Sequence, residues 1–151
     1  MKQIAHRGNI YGPDPSFENS PFAIDQALAK GFDVEVDIRL EDETFRLGHD
    51  SGDYLVSWYW LAQRTGSLWL HCKNLTAFHF FISKARGFNF FWHEHDKYAL
   101  TGQGFIWTCS PDELTSRSVL VMPEKIMPKE AIQGLVKTGC YGVCSDFWLD
   151  E

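Results

Sequence analysis

The sequence predicts an α/β domain with parallel strands, and a pattern that occurs three times carries this prediction. Three segments with apolar residues at helical spacing each end at a glycine that leads directly into a strand-like run; these glycines are Gly31, Gly87 and Gly139. Glycine suits the left-handed position that ends a helix, so each junction implies a helix that returns the chain to the start of a new strand. Successive strand–helix units of this kind build a parallel sheet.

The length of the chain predicts a shortened barrel. A complete TIM-type (β/α) barrel of eight strand–helix units takes about 250 residues. This chain has 151 residues, which it divides among about seven units. We therefore expect a trimmed or incomplete TIM-type (β/α) barrel with parallel strands and several shortened helices. Because no linker, repeat or low-complexity segment divides the sequence, residues 1–151 are expected to form a single domain.

Each predicted element has its own local signals. Ser20 is a suitable N-cap with Pro21 at the first helical position, Asn74 caps a second helix, and Pro128 opens a third. Residues 98–108 are expected to form a hairpin around a glycine-rich turn. The predicted strands span residues 4–6, 33–40, 44–47, 68–73, 89–93, 105–108, 119–122 and 141–145.

Composition and charge exclude several classes of protein. Apolar residues make up 44% of the chain and aromatic residues 15%, which supplies a sizeable core. The formal charge of −6 at pH 7 repels polyanions, so we expect no nucleic-acid partner. No apolar run reaches the ~20 residues that cross a bilayer, and the polar N-terminus does not resemble a signal peptide; we expect no membrane insertion and a cytoplasmic location. The four cysteines have no metal-binding spacing and are expected to be buried thiols.

Two carboxylates share one face of the second predicted strand. Side chains alternate along a strand, so Glu35 and Asp37 point the same way while Val34, Val36 and Ile38 face the helices. Acids directed into the barrel would carry unpaired buried charges, which are costly. A hard divalent ion such as Mg²⁺ or Ca²⁺ would neutralise them. An internal Arg or Lys partner, or a solvated strand face, is the alternative.

Cationic and imidazole groups are expected at the same mouth of the barrel. His6 and Arg7 end the first strand, His49 follows the third, and His71 and Lys73 share one face near the end of the fourth. In barrel enzymes, catalytic groups lie where the strands end. Cleavage of a phosphodiester needs such a set, with cations on the phosphoryl oxygens and two groups that transfer protons near neutral pH.

An ordered set of short motifs resembles the glycerophosphodiester phosphodiesterase family, which consists of TIM barrels within the phosphatidylinositol phospholipase C-like group. The strongest motifs are Ile4-Ala5-His6-Arg7-Gly8, Glu18-Asn19-Ser20, Glu35-Val36-Asp37 and Gly48-His49-Asp50. Weaker matches follow at Leu70-His71-Cys72-Lys73, Trp107-Thr108 and residues 142–146. The resemblance is dense over residues 4–50 and thins beyond them.

The resemblance implies a phosphoric diester hydrolase that acts on a small glycerophosphodiester-like molecule. It places the general acid and base on His6 and His49, in an order left open, and it gives Glu18 the role of orienting His6 or Arg7. Substrate contacts are implied for Arg7, Lys73 and Trp107. The nucleophile is either water or a neighbouring hydroxyl of the substrate, and the hydroxyl would give a cyclic phosphate.

The metal ligands implied by the resemblance are Glu35, Asp37 and His71. The family has a glutamate at the position of His71. Imidazole is a softer ligand than carboxylate, so Mn²⁺ and Zn²⁺ are options beside Mg²⁺ and Ca²⁺. The segment His93-Glu94-His95-Asp96 is a further candidate, either as a second zinc site or as a wall of the same pocket.

Other functions stay open from the sequence. The replaced carboxylate and the short chain also fit a catalytically weak or inactive barrel that binds a phosphorylated ligand or a protein partner. A third hypothesis makes Lys73 the Schiff-base lysine of an aldolase-like barrel. An incomplete barrel leaves apolar surface uncovered, so self-association into a homo-oligomer is a further hypothesis.

Overall fold

A computed structural model describes residues 1–149 of the chain as a mixed α/β fold with one curled sheet and few helices. Within this range the sheet has ten strands: β1 (Lys2–His6), β2 (Asp33–Glu41), β3 (Thr44–Leu47), β4 (Tyr54–Val56), β5 (Leu68–Cys72), β6 (Asn89–Phe91), β7 (Tyr98–Leu100), β8 (Ile106–Thr108), β9 (Ser118–Val121) and β10 (Gly142–Ser145). The predicted strands are present with small shifts at their ends. Sequence reasoning did not predict β4.

Four α-helices occur in the same range, and they are short. They are α1 (Pro21–Ala29), α2 (Trp58–Ala62), α3 (Leu75–Lys84) and α4 (Lys129–Gly134), with 3₁₀ turns at Pro123–Lys125 and Leu135–Thr138. The connections from β6 to β7 and from β8 to β9 contain bends and turns in place of helices. The longest helix, α3, has ten residues, and no helix among residues 1–149 is long and apolar enough to span a bilayer.

The predicted N-caps of the first two long helices are confirmed. Ser20 Oγ accepts a hydrogen bond from the backbone N–H of Ala23 (3.1 Å), and Asn74 Oδ1 accepts one from that of Ala77 (3.0 Å). Each bond satisfies an N–H group of the first turn that has no partner within the helix. The starts of α1 and α3 therefore follow from local side-chain chemistry.

The glycine junctions are confirmed at two of the three predicted positions. Gly31 and Gly139 have φ of 88° and 73°, in the left-handed region. The prediction for Gly87 is wrong, because α3 ends at Lys84 and Gly87 does not adopt a positive φ. A backbone hydrogen bond from Phe88 N to Ala85 O (3.1 Å) makes the turn there instead.

The parallel part of the sheet joins the two ends of the described chain. Seven strands of residues 1–149 run parallel in the order β6-β5-β2-β1-β10-β9-β8. The last strand, β10, lies beside the first, with Lys2 opposite Gly142. The carboxyl ends of β10, β1, β2 and β5 therefore share one edge.

The expectation of parallel strands throughout needs correction, because β3, β4 and β7 run antiparallel to their neighbours. Asp42 and Glu43, with φ of 47° and 60°, connect β2 to β3. Two left-handed residues form a type I′ turn, which joins antiparallel strands. Asp-Glu is not a typical sequence for this turn, so the sequence did not reveal it. The predicted hairpin is confirmed, with Tyr98 of β7 opposite Thr108 of β8.

Alternating side chains give the sheet two apolar faces. On one face, Val34, Val36 and Ile38 of β2 belong to a core that includes Ile24 of α1 and Phe81 of α3. A second core covers the opposite, concave face, with Ile4, Trp69, Phe91, Trp107 and Val119 among its members. Glu35 and Asp37 of β2 alternate with its valines and so point to the concave side.

Candidate active site

The candidate site lies where four neighbouring parallel strands end. His6 ends β1 and pairs in register with Glu35 of β2, while Asp37 of β2 pairs with His71 of β5. Asp146 directly follows β10 on the other side of β1. Four strands therefore bring these five side chains to one edge of the sheet.

Glu35, Asp37 and His71 form a group able to hold a metal ion. Both carboxylates are buried, with 2% and 1% of their residue surface exposed. One potential ligand atom from each of the three residues lies within 4.8 Å of the other two. Asp37 Oδ1 is buried and accepts no hydrogen bond. A buried carboxylate oxygen without a donor is costly, so this donor set suits a cation.

His71 is oriented as a ligand would be. Its Nε2 lies 3.0 Å from the backbone carbonyl oxygen of His93, and because a carbonyl only accepts, Nε2 carries the donated hydrogen. Nδ1 then points to the acids, 3.1 Å from Asp37 Oδ1 and 3.8 Å from Glu35 Oε1. The ring stacks on Phe91, with centroids 5.0 Å apart. In a neutral imidazole the Nδ1 lone pair would face two carboxylates, an arrangement that a cation between them would relieve.

The second oxygen of Asp37 is held by Asn19. Asn19 Nδ2 donates to Asp37 Oδ2 (2.9 Å), and Asn19 Oδ1 accepts from the backbone N–H of Asp37 (2.9 Å). Arg7 Nε lies 3.0 Å from the same Oδ2, and Lys73 Nζ lies 3.9 Å from Oδ1. Sequence reasoning included Asn19 in a motif but gave it no role, because nothing local shows that it reaches β2.

Arg7 is fixed from both its backbone and its side chain. Its backbone N–H donates to Glu35 Oε2 (3.2 Å), in a left-handed conformation with φ of 53°. Its Nη1 donates to Glu18 Oε1 (2.8 Å). Of the two partners that the resemblance implied for Glu18, the structure shows a hydrogen bond to Arg7.

His6 is held by Asp146, which sequence reasoning included in the motif of residues 142–146 but gave no role. His6 Nδ1 lies 2.8 Å from Asp146 Oδ1, and Asn9 Nδ2 donates to the same oxygen (2.8 Å). Because the carboxylate accepts, His6 Nδ1 is the donor, and His6 Nε2 remains open, 3.9 Å from Glu35 Oε2. Asp146 follows a predicted strand and continues its i, i+2 alternation, and that signal could have identified it.

Asp146 is in turn anchored by Glu124. Glu124 Oε1 accepts from the backbone N–H of Asp146 (3.0 Å), and Glu124 Oε2 accepts from Ser145 Oγ (3.0 Å). Both acceptor oxygens of Glu124 are thus used at the end of β10. The carboxylate of Asp146 is therefore positioned from its backbone as well as through Asn9.

The pKa values of Glu35 and Asp37 are shifted in opposite directions. Burial, and next the charge of Asp37, raise the pKa of Glu35. Burial also opposes ionisation of Asp37, but in the metal-free protein a His71 that carries a proton on Nδ1, together with the charge of Arg7, outweighs burial and holds the pKa of Asp37 below its usual range. Asp37 is therefore the firmly ionised carboxylate of the pair, and Glu35 beside it protonates more readily.

His6 and Asp146 stabilise each other's charged forms. Burial lowers the pKa of His6, but the hydrogen bond to Asp146 and the charge of Glu35 outweigh burial, so that the pKa is raised. Burial raises the pKa of Asp146, while the hydrogen bonds from His6 and Asn9 reverse this effect and lower it. An imidazole with a raised pKa beside a fixed carboxylate is suited to proton transfer near neutral pH.

His49 lies at the edge of this cluster. Its side chain is 39% exposed, and its Nδ1 contacts Asp50 Oδ1 (2.6 Å). It lines a cleft of about 350 Å³ together with Glu18 and Asn19, which hold other residues of the cluster. Within residues 1–149, no hydrogen bond or ring contact joins His49 to His6.

Trp107 lies in the core of the concave face. It is 3% exposed, and its ring packs 4.5 Å from Phe91 and 5.8 Å from Trp69, measured between centroids. Phe91 carries the ring of His71 on its surface. Trp107 therefore packs against Phe91, which in turn stacks on the ring of His71.

The second candidate cluster adjoins the first, since the rings of His93 and His71 lie 6.3 Å apart between centroids. His93 and His95 line their own cavity together with Cys109, which is exposed and so differs from the buried thiol that we expected. In the part of the chain that the structure describes, the group with three ligand atoms close enough for one ion is Glu35, Asp37 and His71. The role of His93 at that group is to accept the hydrogen bond from His71 through its backbone carbonyl.

Comparison with known proteins gives no relative. No protein-family model, no curated protein and no solved structure matches this chain. The functional interpretation depends on the residues and contacts of the site.

Proposed function

We propose that the chain is a metal-dependent phosphodiesterase of the glycerophosphodiester phosphodiesterase type, built on an incomplete TIM-type barrel. The barrel assignment is supported by seven parallel strands whose last member pairs with the first. The site assignment is supported by the convergence of His6, Arg7, Glu35, Asp37, His71 and Lys73 at the carboxyl ends of those strands.

One observation carries the metal part of the proposal. Asp37 Oδ1 is buried and lies 3.1 Å from Nδ1 of His71, in one group of ligand atoms with the carboxylate of Glu35. When His71 is neutral with its proton on Nε2, this oxygen has no hydrogen-bond donor. Two carboxylates and one imidazole are ligands that Mg²⁺, Ca²⁺, Mn²⁺ and Zn²⁺ accept to different degrees. A divalent ion held by these three residues would stabilise charge on the phosphoryl oxygens as a Lewis acid.

The remaining residues supply binding and proton transfer. Arg7 and Lys73 both lie beside Asp37, so their cationic groups are available to an anionic phosphodiester at this edge. His6 donates through Nδ1 to Asp146 and keeps Nε2 free to accept or deliver a proton. His49, in the adjoining cleft, is the second proton-transfer group of the proposal.

A second candidate function is favoured by the contact between Arg7 and Asp37. Arg7 Nε lies 3.0 Å from Asp37 Oδ2, so an internal guanidinium already neutralises part of the acid pair. A weak or inactive barrel that binds a phosphorylated ligand or a protein partner would use this arrangement without a metal. Such a binder is stabilised by its ligand but releases no product.

The deciding experiment is a panel of small phosphodiesters assayed with chelator and then with single divalent ions added back. We expect turnover that chelator abolishes and one or more of Mg²⁺, Ca²⁺, Mn²⁺ and Zn²⁺ restores. His6→Ala and His49→Ala should each abolish turnover with the fold intact, and His79→Ala, an exposed histidine of α3, should not change it. Unchanged rates in either of the first two variants would refute the assignment of that histidine.

A further inference from the structure

An aromatic cleft lies beside the candidate active site. It has a volume of about 440 Å³ and is lined by residues 8–14, Phe17 and the first turns of α1. Tyr11, Phe17 and Phe22 contribute rings that are 44%, 50% and 60% exposed. Contiguous exposed apolar surface of this kind marks a binding site more often than isolated exposed residues do. We refer to these three rings and the space between them as the aromatic cleft.

The aromatic cleft is connected to the proton-transfer pair of the site. Its lining begins at Gly8, two residues after His6. Asn9, which also lines it, donates a hydrogen bond to Asp146 Oδ1 (2.8 Å), and the same oxygen accepts from His6 Nδ1 (2.8 Å). Asn9 therefore lies between a group bound in the aromatic cleft and Asp146, the acid that is hydrogen-bonded to His6.

Two of the polar side chains at the aromatic cleft, Asp14 and Asn9, are engaged in hydrogen bonds of their own, while Gln26 also lines the cleft. Asp14 Oδ1 accepts hydrogen bonds from the backbone N–H (3.0 Å) and the hydroxyl (2.6 Å) of Ser16, within its own turn. Asn9 is bound to Asp146. The rings of Phe17 and Phe22 lie 6.1 Å apart between centroids and are inclined by 53°, so they form two angled walls. Such walls complement an apolar guest.

The cleft beside His49 has the opposite character. It includes carboxylates of Glu18, Asp50 and Asp53 and is lined by polar side chains for most of its length. An apolar group gains little by entering such a cleft, because it would desolvate charged side chains. The loop before α1 contributes to both clefts, with Phe17 in the aromatic cleft and Glu18 in the cleft beside His49.

We propose that the aromatic cleft binds an apolar alcohol group of the phosphodiester substrate, such as a short alkyl chain. The inference rests on the proposed function, since it assigns a position to one of the two alcohols of the diester. Apolar groups on the substrate should strengthen binding, because each methylene transferred from water to the rings contributes to affinity.

The test uses glycerophosphodiesters whose second alcohol is methyl, butyl or hexyl, at concentrations below micelle formation and with the activating metal. We expect kcat/KM for the hexyl diester to exceed that for the methyl diester by about tenfold, mostly through KM. Phe17→Ala and Phe22→Ala should reduce this ratio to about threefold or less. Tyr59→Ala removes another exposed ring, on α2 and away from both clefts, and should keep the full ratio.

Each other result has a defined meaning. A ratio near one in the unaltered protein, or a full ratio in both phenylalanine variants, overturns the inference while the proposed function stands. A chain-length effect that arises only with micelles or vesicles also overturns it, in favour of contact with a lipid surface. If no diester is cleaved, the proposed function fails. The aromatic cleft is then tested by calorimetry, which compares the affinity for hexyl phosphate with the affinity for inorganic phosphate. Tighter binding of hexyl phosphate that Phe22→Ala removes supports the inference, and equal binding of the two overturns it.

Discussion

Asn19 and Asp37 are joined by two hydrogen bonds of 2.9 Å, one to the Asp37 carboxylate and one from its backbone N–H. This bidentate contact fixes Oδ2 of Asp37 and leaves the buried Oδ1 directed at His71 and Glu35. A residue that orients a metal ligand in this way affects metal affinity without contacting the ion.

Asn19→Ala should weaken binding of the activating metal by about 10- to 100-fold. It should also lower the free energy of unfolding by about 1–3 kcal/mol, because the backbone N–H of Asp37 loses its partner in a buried position. Calorimetric titration of the metal and urea unfolding measure the two effects. Asn74→Ala is the matched control, since Asn74 also accepts from backbone N–H groups but lies outside the site. If both variants lose stability alike and neither loses metal affinity, Asn19 has only a structural role.

His71→Ala should remove one ligand and lower the affinity for Mn²⁺ or Zn²⁺ by at least about tenfold, while His71→Glu should shift the preference toward Mg²⁺ and Ca²⁺. The physical reason is that carboxylate is a harder ligand than imidazole. Competition titrations with pairs of ions measure the preference. His79→Ala, on the exposed face of α3, is the control. An unchanged order of metal preference in His71→Glu contradicts the ligand assignment.

Arg7→Ala should strengthen metal binding by about tenfold and yet lower kcat/KM. The guanidinium lies 3.0 Å from Asp37 Oδ2, so its removal relieves repulsion of a cation but also removes a group that binds the phosphate. Metal titration and steady-state kinetics give the two readouts. Arg64→Ala removes an arginine whose partner is Asp25 and should change neither. Weaker metal binding in Arg7→Ala would show that Arg7 supports the acid pair rather than competing with a cation.

Asp146→Asn should lower the pKa of His6 and change how stability depends on pH. In the folded protein the pKa of His6 is raised above 6.5 by Asp146 and Glu35 against the effect of burial and of Arg7. A raised pKa contributes stability that is fully present below the unfolded value and is lost as pH rises through the folded value. The stability deficit of the variant should therefore be larger at about pH 6 than at about pH 9.

Titration of the His6 imidazole by NMR, in metal-free protein with chelator present, measures this shift directly. Urea unfolding at the two pH values measures the linked stability. Asp112→Asn, an exposed carboxylate paired with Lys97, should show neither effect. A His6 titration unchanged in Asp146→Asn would mean that the 2.8 Å contact does not persist in solution.

Local sequence signals predicted the acid pair Glu35 and Asp37, but not the hydrogen bonds by which Asn19 and Asp146 position the side chains of the site. Alternation along one strand placed Glu35 and Asp37 on one face, whereas His71 was assigned to them only through the motif resemblance. The register of β5 against β2 brings His71 beside Asp37. Asn19 and Asp146 belonged to quoted motifs, but their roles were not predicted because their contacts join residues 18 and 140 positions apart. No periodicity spans such separations; they follow only from the three-dimensional pairing of the strands.

The fold shows the same division between local and non-local information. Caps at Ser20 and Asn74 were readable because one side chain satisfies a backbone group three residues away. The turn at Asp42 and Glu43 could not be predicted from the sequence, because both non-glycine residues adopt left-handed conformations that their side chains do not favour. Packing of the flanking strands, Ile38 against Leu47 for instance, keeps that turn in place.

The pairing of β10 with β1 has a consequence for how the protein acquires its site during synthesis. On one side β1 pairs with β2, but on its other side residues 2–5 find their partners in β10 only after residues 142–145 have been made. Until then β1 exposes an unpaired edge, and His6 lacks the carboxylate that orients it. Folding must close this long loop late, which predicts slow maturation and a nascent chain that is open to misassociation.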